Sequence, residues 1–420
     1  METKKSKIYF LFLLILISLI IFLIIKGNKI SQNVKTYLKF LNIKETIENL
    51  DNIDVLNKET LIKNDKYLYN VKYLPKSYLL DLDLKKYKIN DIENNLINKS
   101  FYLDTFENNI ILVTNEGEFY FQSSEKILNN KKKKKFIKIN SDLDTGNLNR
   151  ILDIYINSEK IFISLIKKIN KCQIFTIYSG KFDFNNIAFK KFFQSDECGE
   201  YVQAGRMKEY MLNDRVGLLV TTHNDVPDDP SNRPQDDSSI FGKILHIDYL
   251  SKEISIISKG HRNSQGLYVD KNLILITEHG PQGGDEINKI LVGGNYGWPV
   301  ASYGKPYNDD QKDLYKKNHK ALNFIEPIFS FVKSIAISEI VKIPKNFYSI
   351  DNLTNIFYVS SLNGRSLYLV RFDEEYNRII FIEKIFIGER IRDIIYIKEF
   401  NTFLLSLEET FSIGTIKVVK

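Results

Sequence analysis

Cysteine is nearly absent from this chain. Two cysteines in 420 residues exclude a disulfide-rich scaffold and a cysteine-ligated zinc or iron–sulfur protein. Glycine and proline are modest, which excludes a collagen-like or low-complexity chain. The sequence is instead 43% hydrophobic and 13% aromatic, enough to build a substantial core. More than half of the net charge of +7 flanks one hydrophobic segment near the N-terminus, so the remainder predicts no nucleic-acid-binding face.

The longest hydrophobic run, from Ile8 to Ile25, contains no charged residue. As a helix it would span about 27 Å, enough to cross the hydrocarbon core of a bilayer. A cleaved signal peptide is the alternative, but its apolar core is shorter and ends in small residues, whereas this run ends in Ile-Ile-Lys. Lys4, Lys5 and Lys7 favour a cytoplasmic N-terminus. The sequence therefore predicts a single-pass inner-membrane protein with a cytoplasmic segment 1–7, an anchor over 8–25, a linker over 26–54 and a periplasmic domain over 55–420.

The predicted domain has a residue pattern typical of β-strands. Short runs rich in Ile, Phe, Tyr and Val alternate with Asn, Asp, Gly and Lys, as in 109–114, 160–165, 272–277 and 402–407. Such short β-branched and aromatic runs favour strands over helices. We therefore predict an all-β domain. A propeller of 4–8 four-stranded blades accommodates its length, although periodicity alone does not fix the number of blades.

The two cysteines, Cys172 and Cys198, flank a predicted hairpin. In an oxidising compartment they could form a disulfide, and two free thiols are the alternative. The distance between their Cα atoms decides between these two states, and sequence does not supply it.

Residues 260–304 differ from the rest of the chain. They hold the single tryptophan, Trp298, two of the five histidines and a concentration of glycine that strands do not need. Arg262 offers a planar fork suited to carboxylates, and Asp285 and Glu286 beside loop carbonyls offer the oxygen ligands that Ca²⁺ prefers. These features predict a polar site carried by loops on a β scaffold, with elaborate turns between blades as the alternative.

The segments GHRNSQGLYVD, TEHGPQGGDEIN and GGNYGWPVASYG, within 260–304, resemble the signature of the glucose/sorbosone dehydrogenase family. The resemblance is strong over this stretch, weaker from about Asn149 to the C-terminus and slight over 30–145. It implies a six-bladed propeller that uses pyrroloquinoline quinone (PQQ) and Ca²⁺ to oxidise the C1 of an aldose to a lactone.

The same resemblance implies roles for particular residues. It places PQQ-binding groups on Arg262 and Asn263 and, through the string GERIRD, on Arg390 and Arg392. It places the carbonyl ligands of a PQQ-bound Ca²⁺ on Gly280 and Pro281. A second, structural Ca²⁺ would lie near Glu286 and Tyr296.

Several positions at which the family has catalytic or ligand-contacting residues hold other residue types in this sequence. Val202 stands where the family has its general base, a histidine, and valine cannot accept a proton. His223, after the next predicted strand, is a candidate substitute, whereas His261 and His279 are interpreted as hydrogen-bonded loop residues. Three further departures from the family pattern are Tyr201 for an acidic residue, Asn363 for a PQQ-contacting lysine and Val332 for a substrate-stacking tryptophan.

Two functions remain open from the sequence. The first is a membrane-anchored aldose dehydrogenase dependent on PQQ and Ca²⁺, with an altered base or substrate. The second is a non-catalytic propeller, stabilised by Ca²⁺, that binds a sugar or a protein partner.

Overall fold

The computed structural model describes residues 77, 80, 82–89, 100–129, 135–199, 201–223, 232–307, 315, 318–348 and 354–418. The predicted anchor 8–25 and linker 26–54 lie outside these residues. Within them, no helix is both long and apolar enough to cross a bilayer. The described strands form six sheets, which confirms the all-β, six-bladed propeller.

The first three blades follow one another along the chain, each with antiparallel neighbouring strands and two with a short parallel strand added at the outer edge. Blade 1 comprises β2 (Phe101–Phe106), β3 (Asn109–Thr114), β4 (Phe119–Ser123), β5 (Ile137–Ser141) and the added β9 (Asn186–Ile187). Blade 2 comprises β6 (Leu148–Asn157), β7 (Lys160–Ile169), β8 (Cys172–Lys181) and β10 (Phe189–Gln194). Blade 3 comprises β11 (Met207–Leu212), β12 (Arg215–Thr221), β13 (Lys243–Asp248), β14 (Ile254–Lys259) and the added β18 (Gly294–Asn295).

The remaining blades complete the ring. Blade 4 comprises β15 (Ser264–Asp270), β16 (Leu273–Glu278), β17 (Asp285–Lys289) and β19 (Phe329–Phe331). Blade 5 comprises β20 (Ile337–Lys342), β21 (Ile356–Ser361), β22 (Ser366–Phe372) and β23 (Ile379–Phe386). Blade 6 comprises β24 (Ile391–Ile397), β25 (Thr402–Leu407), β26 (Ser412–Val418) and β1 (Leu82–Lys88). The described helices are α1 (Ser124–Asn129) and short 3₁₀ turns at Arg233–Gln235, Lys320–Leu322, Lys345–Phe347 and Lys398–Phe400.

The ring is closed by strands from both ends of the domain. β1 pairs with β26 from Leu82↔Val418 to Lys88↔Ser412, so blade 6 takes its outermost strand from the beginning of the domain. At the centre, each blade's first strand touches the first strands of its neighbours, and β24 touches β2. This closure leaves no open seam between the last blade and the first, which is how propellers protect sheet edges.

Apolar side chains between neighbouring blades form the core. Between blades 5 and 6, Tyr358 and Phe403 are fully buried and their ring centroids lie 5.1 Å apart. Between blades 2 and 3, Phe175 and Leu218 are buried in a second cluster. Burying one such side chain stabilises the fold by about 1.5–3 kcal/mol, so the aromatic and β-branched strand residues that predicted the fold also hold the blades together.

One end of the ring, called here the site end, carries the long loops. Alternate strands of a blade are antiparallel, so segments that enter a first strand and segments that leave a second strand lie at the same end. The connection 296–328, between β18 and β19, also reaches this end, since the Trp298 amide donates a hydrogen bond to the Gly260 carbonyl (3.0 Å) just before β15.

A disulfide joins Cys172, the first residue of β8, to Cys198, with 5.1 Å between their Cα atoms. The bond fixes a segment that leads to the site end. There Gln173 and Gly199 form an isolated antiparallel bridge, and the Gln173 side-chain oxygen accepts a hydrogen bond from the Val202 amide (2.8 Å). The structure thus resolves the alternative that the sequence left open in favour of the disulfide.

Replacing Cys172 and Cys198 together by serine is expected to lower the free energy of unfolding by about 2–4 kcal/mol, because the bond closes a loop and restricts the unfolded chain. Urea denaturation of the full-length chain measures this loss. Wild-type protein treated with dithiothreitol is the control and is expected to match the double variant. Equal denaturation midpoints for oxidised and reduced wild type would contradict the prediction.

Candidate active site

A cavity of about 220 Å³ opens at the site end, above the inner strands of blades 3, 4 and 5. Loops that enter β11, β15 and β20 or leave β12 and β16 supply most of its wall, and Tyr307 reaches it from the connection 296–328. The lining includes Tyr201, Gln203, His223, Arg262, Asn263 and His279. Among the described residues no aspartate or glutamate lines it, so the wall is polar and positively charged.

Arg262 is the central cation of this cavity and is only 8% exposed. Its Nη1 donates to the carbonyls of His279 (3.2 Å) and Gly280 (3.1 Å), and its Nη2 to the Tyr307 hydroxyl (3.2 Å). The guanidinium carbon lies 5.3 Å from the centroid of the Trp298 ring. The Nε donor is buried, and no described residue accepts a hydrogen bond from it. A buried guanidinium donor is costly unless an acceptor, such as water or a ligand, lies beside it.

A buried hydrogen-bond network positions the backbone of Arg262. The Glu278 carboxylate accepts from the Arg262 amide (2.5 Å) through Oε1 and lies 2.9 Å from His261 Nδ1 through Oε2. The other ring nitrogen of His261 lies 2.8 Å from the Ser258 hydroxyl. Ser258, His261 and Glu278 have the order of a catalytic triad, but His261 is completely buried, so we assign them a structural role. This agrees with the interpretation of His261 as a hydrogen-bonded loop residue.

Two histidines of the wall are held neutral. Burial, followed by the nearby positive charge of Arg262, lowers the pKa of both His223 and His279 to about 3. His279 Nε2 donates to the Ile337 carbonyl (2.6 Å), and its Nδ1 lies 3.4 Å from the side-chain nitrogen of Asn263. His223 Nδ1 donates to the Tyr201 carbonyl. At neutral pH both rings are therefore uncharged.

Arg390 and Arg392 lie at the site end and share one carboxylate. Their Nε atoms donate to the two oxygens of Glu408, at 3.0 and 2.7 Å. Burial opposes ionisation of Glu408, but the adjacent arginines lower its pKa. Their positive charges also lower the pKa of His279. One carboxylate between two guanidiniums leaves excess positive charge at the site end.

A glutamine joins these arginines to the cavity. Arg392 donates through Nη1 to the side-chain oxygen of Gln265 (3.3 Å), and Gln265 donates to the side-chain oxygen of Asn263 (2.7 Å). The structure thus connects Arg392, Asn263 and Arg262, three of the four residues that the sequence predicts for PQQ. Arg390 extends the cationic surface toward solvent, since its side chain is 38% exposed.

An ionic cluster on the propeller axis was missed by the sequence reasoning. Arg206 donates to Asp153 (2.9 Å) and Asp393 (3.0 Å) through Nη1, and its Nε lies 3.2 Å from Glu339. It also donates to the Gln265 carbonyl (2.8 Å), directly below the cavity. Asp393 ends the string GERIRD, which resembles the family, but nothing local shows that four blades bring these side chains together.

The predicted Ca²⁺ ligands fall into two groups. Gly280 and Pro281 line the cavity, and the Gly280 carbonyl faces Arg262. Glu286 and Tyr296 do not line it: burial raises the pKa of Glu286, whose oxygen accepts from Asn288, and the Tyr296 hydroxyl donates to the Lys289 carbonyl (2.5 Å). Within the described part of the chain no group of three or more His, Cys, Asp or Glu side chains is placed to hold a metal.

Asp285 shapes the loop that carries Gly280. Its carboxylate accepts from the amides of Gly280 (3.1 Å) and Ile335 (2.8 Å), which ties the loop after β16 to the entry of β20. Gly283 and Gly284 turn this loop with φ of 81° and 71°, angles that favour glycine. Sequence reasoning placed Asp285 among possible metal ligands, whereas the structure engages it with backbone amides.

The positions that the resemblance predicts to depart from the family pattern differ in exposure. Val202 is 1% exposed and packs in the apolar cluster between blades 2 and 3, while its neighbours Tyr201 and Gln203 line the cavity. Val332 is 93% exposed. The side chain of Asn363 lies 3.4 Å from the carbonyl of Ser334, a cavity residue.

Comparisons with known proteins agree with this geometry. The sequence model of the Glucose / Sorbosone dehydrogenase family matches residues 101–410. Quinoprotein glucose dehydrogenase B of Acinetobacter calcoaceticus is 40% identical over 91 residues, 21% of this chain and 16% of that protein. Aldose sugar dehydrogenase YliI of Escherichia coli (strain K12) is 40% identical over 85 residues, 20% of this chain and 23% of that protein. These alignments span less than a quarter of either relative.

Solved structures share the fold over most of the chain. The soluble aldose sugar dehydrogenase of Escherichia coli in its apo form has a TM-score of 0.62 and 18% identity, covering 80% of this chain and 99% of that one. The PQQ-bound aldose sugar dehydrogenase of Streptomyces coelicolor has a TM-score of 0.56 and 16% identity, covering 82% and 100%. With the family match over residues 101–410, the six-bladed architecture and the site-end cavity, these findings show that the chain belongs to the glucose/sorbosone dehydrogenase family.

Proposed function

We propose that this protein is a membrane-anchored, extracytoplasmic aldose dehydrogenase that binds PQQ and Ca²⁺ in the cavity around Arg262. The observation that carries the proposal is the Nε donor of Arg262, which no described residue pairs, buried in a polar cavity whose described lining has no carboxylate. PQQ carries several carboxylates, and guanidinium groups are well suited to bind them. The relatives whose printed names include quinoprotein or aldose sugar dehydrogenase point to the same chemistry.

The chain's own residues fit such a ligand. Arg262 and Asn263 would hold it inside the cavity, while Arg390 and Arg392 would bind its carboxylates from the rim. The Gly280 and Pro281 carbonyls would ligate the Ca²⁺ next to it, and carbonyl oxygen is a ligand type that Ca²⁺ prefers. Glu286 and Tyr296 would serve a separate, structural Ca²⁺. When bound, the quinone would accept a hydride from the C1 of the aldose.

The proposed location rests on two features. The uncharged run 8–25 is long enough for a transmembrane anchor. The Cys172–Cys198 disulfide supports an oxidising compartment for the propeller, since such bonds are rare in reducing cytosol. We therefore assign the propeller to the periplasmic side of an inner membrane.

A second function is favoured by one observation. Val202, at the position of the family's general base, is sealed in the apolar core and offers no proton acceptor. A non-catalytic propeller stabilised by Ca²⁺, with a sugar or a protein as partner, would have this feature. The two histidines in the cavity wall favour the enzyme instead, because each is a neutral imidazole beside the proposed cofactor site.

Cofactor binding distinguishes the two functions. Full-length protein incubated with PQQ and Ca²⁺ is expected to retain PQQ absorbance after gel filtration and to reduce an artificial electron acceptor when given aldoses. Free PQQ at 100 times its Kd is expected to stabilise the fold by about 2.7 kcal/mol, because it binds the native state only. Protein treated with EGTA and given no PQQ is the control. If no PQQ is retained, and EGTA lowers the Tm while PQQ leaves it unchanged, the non-catalytic function is correct.

A further inference from the structure

We infer that His223 is the general base of this enzyme and replaces the missing histidine at position 202. The inference rests on the proposed function and adds to it the residue that accepts the proton. His223 follows β12 and forms an isolated antiparallel bridge with Asn263, which places it in the cavity wall next to Arg262. Val202 precedes β11, and the loop that contains it supplies the hydrogen-bond acceptor for His223, the Tyr201 carbonyl. The base has thus moved from the entry of one strand to the exit of the next strand in the same blade.

The hydrogen bond to Tyr201 fixes the tautomer of His223. A carbonyl oxygen can only accept, so Nδ1 must carry the proton. The neutral ring then has its lone pair on Nε2, the atom that a general base uses. No described residue forms a hydrogen bond with Nε2. A neutral imidazole oriented by a carbonyl, with its second nitrogen unengaged by the described residues, has the geometry of a general base.

The other four histidines of the chain do not offer such a nitrogen. His279 donates a hydrogen bond from Nε2 to the Ile337 carbonyl, and its Nδ1 lies next to the side-chain nitrogen of Asn263. Both ring nitrogens of His261 are engaged in hydrogen bonds, one with Ser258 and the other with Glu278. His246 and His319 do not line the cavity.

Other side chains in the described lining are poor candidates for the base. No carboxylate is present there, and a tyrosine hydroxyl is a weaker proton acceptor than a neutral imidazole. His223 is therefore the one proton acceptor that the described lining offers at neutral pH.

The charges around His223 tune its strength as a base. Burial, Arg262, His279 and Arg150 lower its pKa, while the hydrogen bond to Tyr201 raises it, and the balance lies at about 3. An anion bound at Arg262 would offset the repulsion from that cation and raise the pKa. Burial, the larger cause, would remain, so an anion at Arg262 would strengthen His223 as a base only in part.

The proposed step conserves atoms and electrons. The C1 hydroxyl of the aldose gives its proton to His223 Nε2 while the C1–H bond breaks. The hydrogen of that bond would leave with its electron pair as a hydride, and the quinone that Arg262 and Asn263 would hold would be the oxidant that accepts it. The remaining C1–O bond becomes the carbonyl of the lactone, and His223 leaves the step as an imidazolium.

The variant His223→Gln tests this role in the full-length protein. Glutamine cannot act as a base, so kcat for aldose oxidation is expected to fall by about 10²–10⁴-fold. The Kd for PQQ in the presence of Ca²⁺, measured by titration of its absorbance, is expected to stay within about threefold of wild type. Added imidazole is expected to restore part of kcat in the variant only. The matched control is His246→Gln, which lies outside the cavity and keeps a donor for the Tyr210 carbonyl, and it is expected to retain the wild-type kcat.

A measurement without turnover checks the same claim. In ¹⁵N-histidine spectra of the wild type, the signal lost in His223→Gln is expected to show a neutral ring protonated on Nδ1, and its pKa is expected to rise when PQQ and Ca²⁺ are added. A ring protonated on Nε2, or a variant that binds PQQ and keeps the wild-type kcat, would overturn the inference while leaving the proposed function intact. Failure of the wild type to bind PQQ would overturn both. If His223→Gln does not fold, His223→Asn gives the same comparison.

Discussion

Replacing Arg206 by methionine is expected to lower the free energy of unfolding by about 3–5 kcal/mol. Arg206 is the cation of the axial cluster, and its side chain is 7% exposed among the carboxylates of Asp153, Glu339 and Asp393. Removing one partner of a buried ion pair leaves the other charges without compensation, which is the costly way to break such a pair. Here a single guanidinium serves three carboxylates from three blades, so its loss should weaken the contacts among those blades together.

The loss should depend on pH. Burial raises the pKa of Asp153 and of Glu339, so the folded protein binds protons at these carboxyls more tightly than the unfolded chain does. Their contribution to stability is present at low pH and is lost as pH rises through the raised pKa values. Without Arg206, ionisation of these groups should cost still more. Arg206→Met is therefore expected to lose more stability at pH 8 than at pH 5.

Urea denaturation of full-length wild type and variants at both pH values measures these effects. Arg215→Met is the matched control: Arg215 also pairs with a carboxylate, Glu253 at 2.6 Å, but both side chains are exposed. Exposed pairs contribute about 0–1 kcal/mol, so this variant should differ little from wild type. If Arg206→Met loses no more stability than Arg215→Met, the axial cluster does not hold the blades together.

The sequence predicts the architecture well because the evidence is local. Runs such as 272–277 combine β-branched residues with flanking turn residues, and the structure places a strand, β16, at 273–278. Six blades followed from the family resemblance, since strand periodicity alone allowed four to eight. The addition of β1 to blade 6 was not predicted. It depends on pairing between Leu82 and Val418, which lie at opposite ends of the domain.

The site was predicted only in part, because local patterns show single loops and not the contacts between distant loops. Arg262, Asn263, Gly280 and Pro281 were expected together and do line one cavity, since they lie on two loops of the same blade. Tyr307, a hydrogen-bond partner of Arg262, was missed because the connection 296–328 must cross back to the site end before the two side chains meet.

The fixed tautomer of His223 was beyond sequence reasoning as well. His223 was one candidate base among several, and what distinguishes it is a single backbone contact to Tyr201 across two loops. Contacts of this kind depend on the tertiary arrangement of loops, which no local pattern encodes.

Replacing Arg262 by alanine is expected to weaken PQQ binding in the presence of Ca²⁺ by about 30- to 4,000-fold. Truncating one partner of a buried, hydrogen-bonded charge pair costs about 2–5 kcal/mol, and each 1.4 kcal/mol is a factor of ten in affinity. Arg262 is the most deeply buried of the three arginines proposed to bind PQQ, and it has the unpaired Nε donor that a ligand acceptor would satisfy. Arg390 and Arg392 would still attract the anion, but Glu408 already accepts from both of them.

Absorbance titration of full-length protein with PQQ at fixed Ca²⁺ gives the Kd values. The matched control is Arg378→Ala: its side chain is 77% exposed, in the hairpin between β22 and β23 at the end of the ring opposite the site, and it should bind PQQ as the wild type does. Arg262→Lys should fall between alanine and wild type, because an ammonium keeps the charge but not the planar fork. Loss of the Arg262 hydrogen bonds to the His279 and Gly280 carbonyls could also disturb the wall, so unchanged EGTA sensitivity of the Tm in each variant is needed to show that the metal sites are intact. A Kd for Arg262→Ala equal to that of Arg378→Ala would place the cofactor away from this cavity, and the catalytic role of His223 would then have no adjacent oxidant.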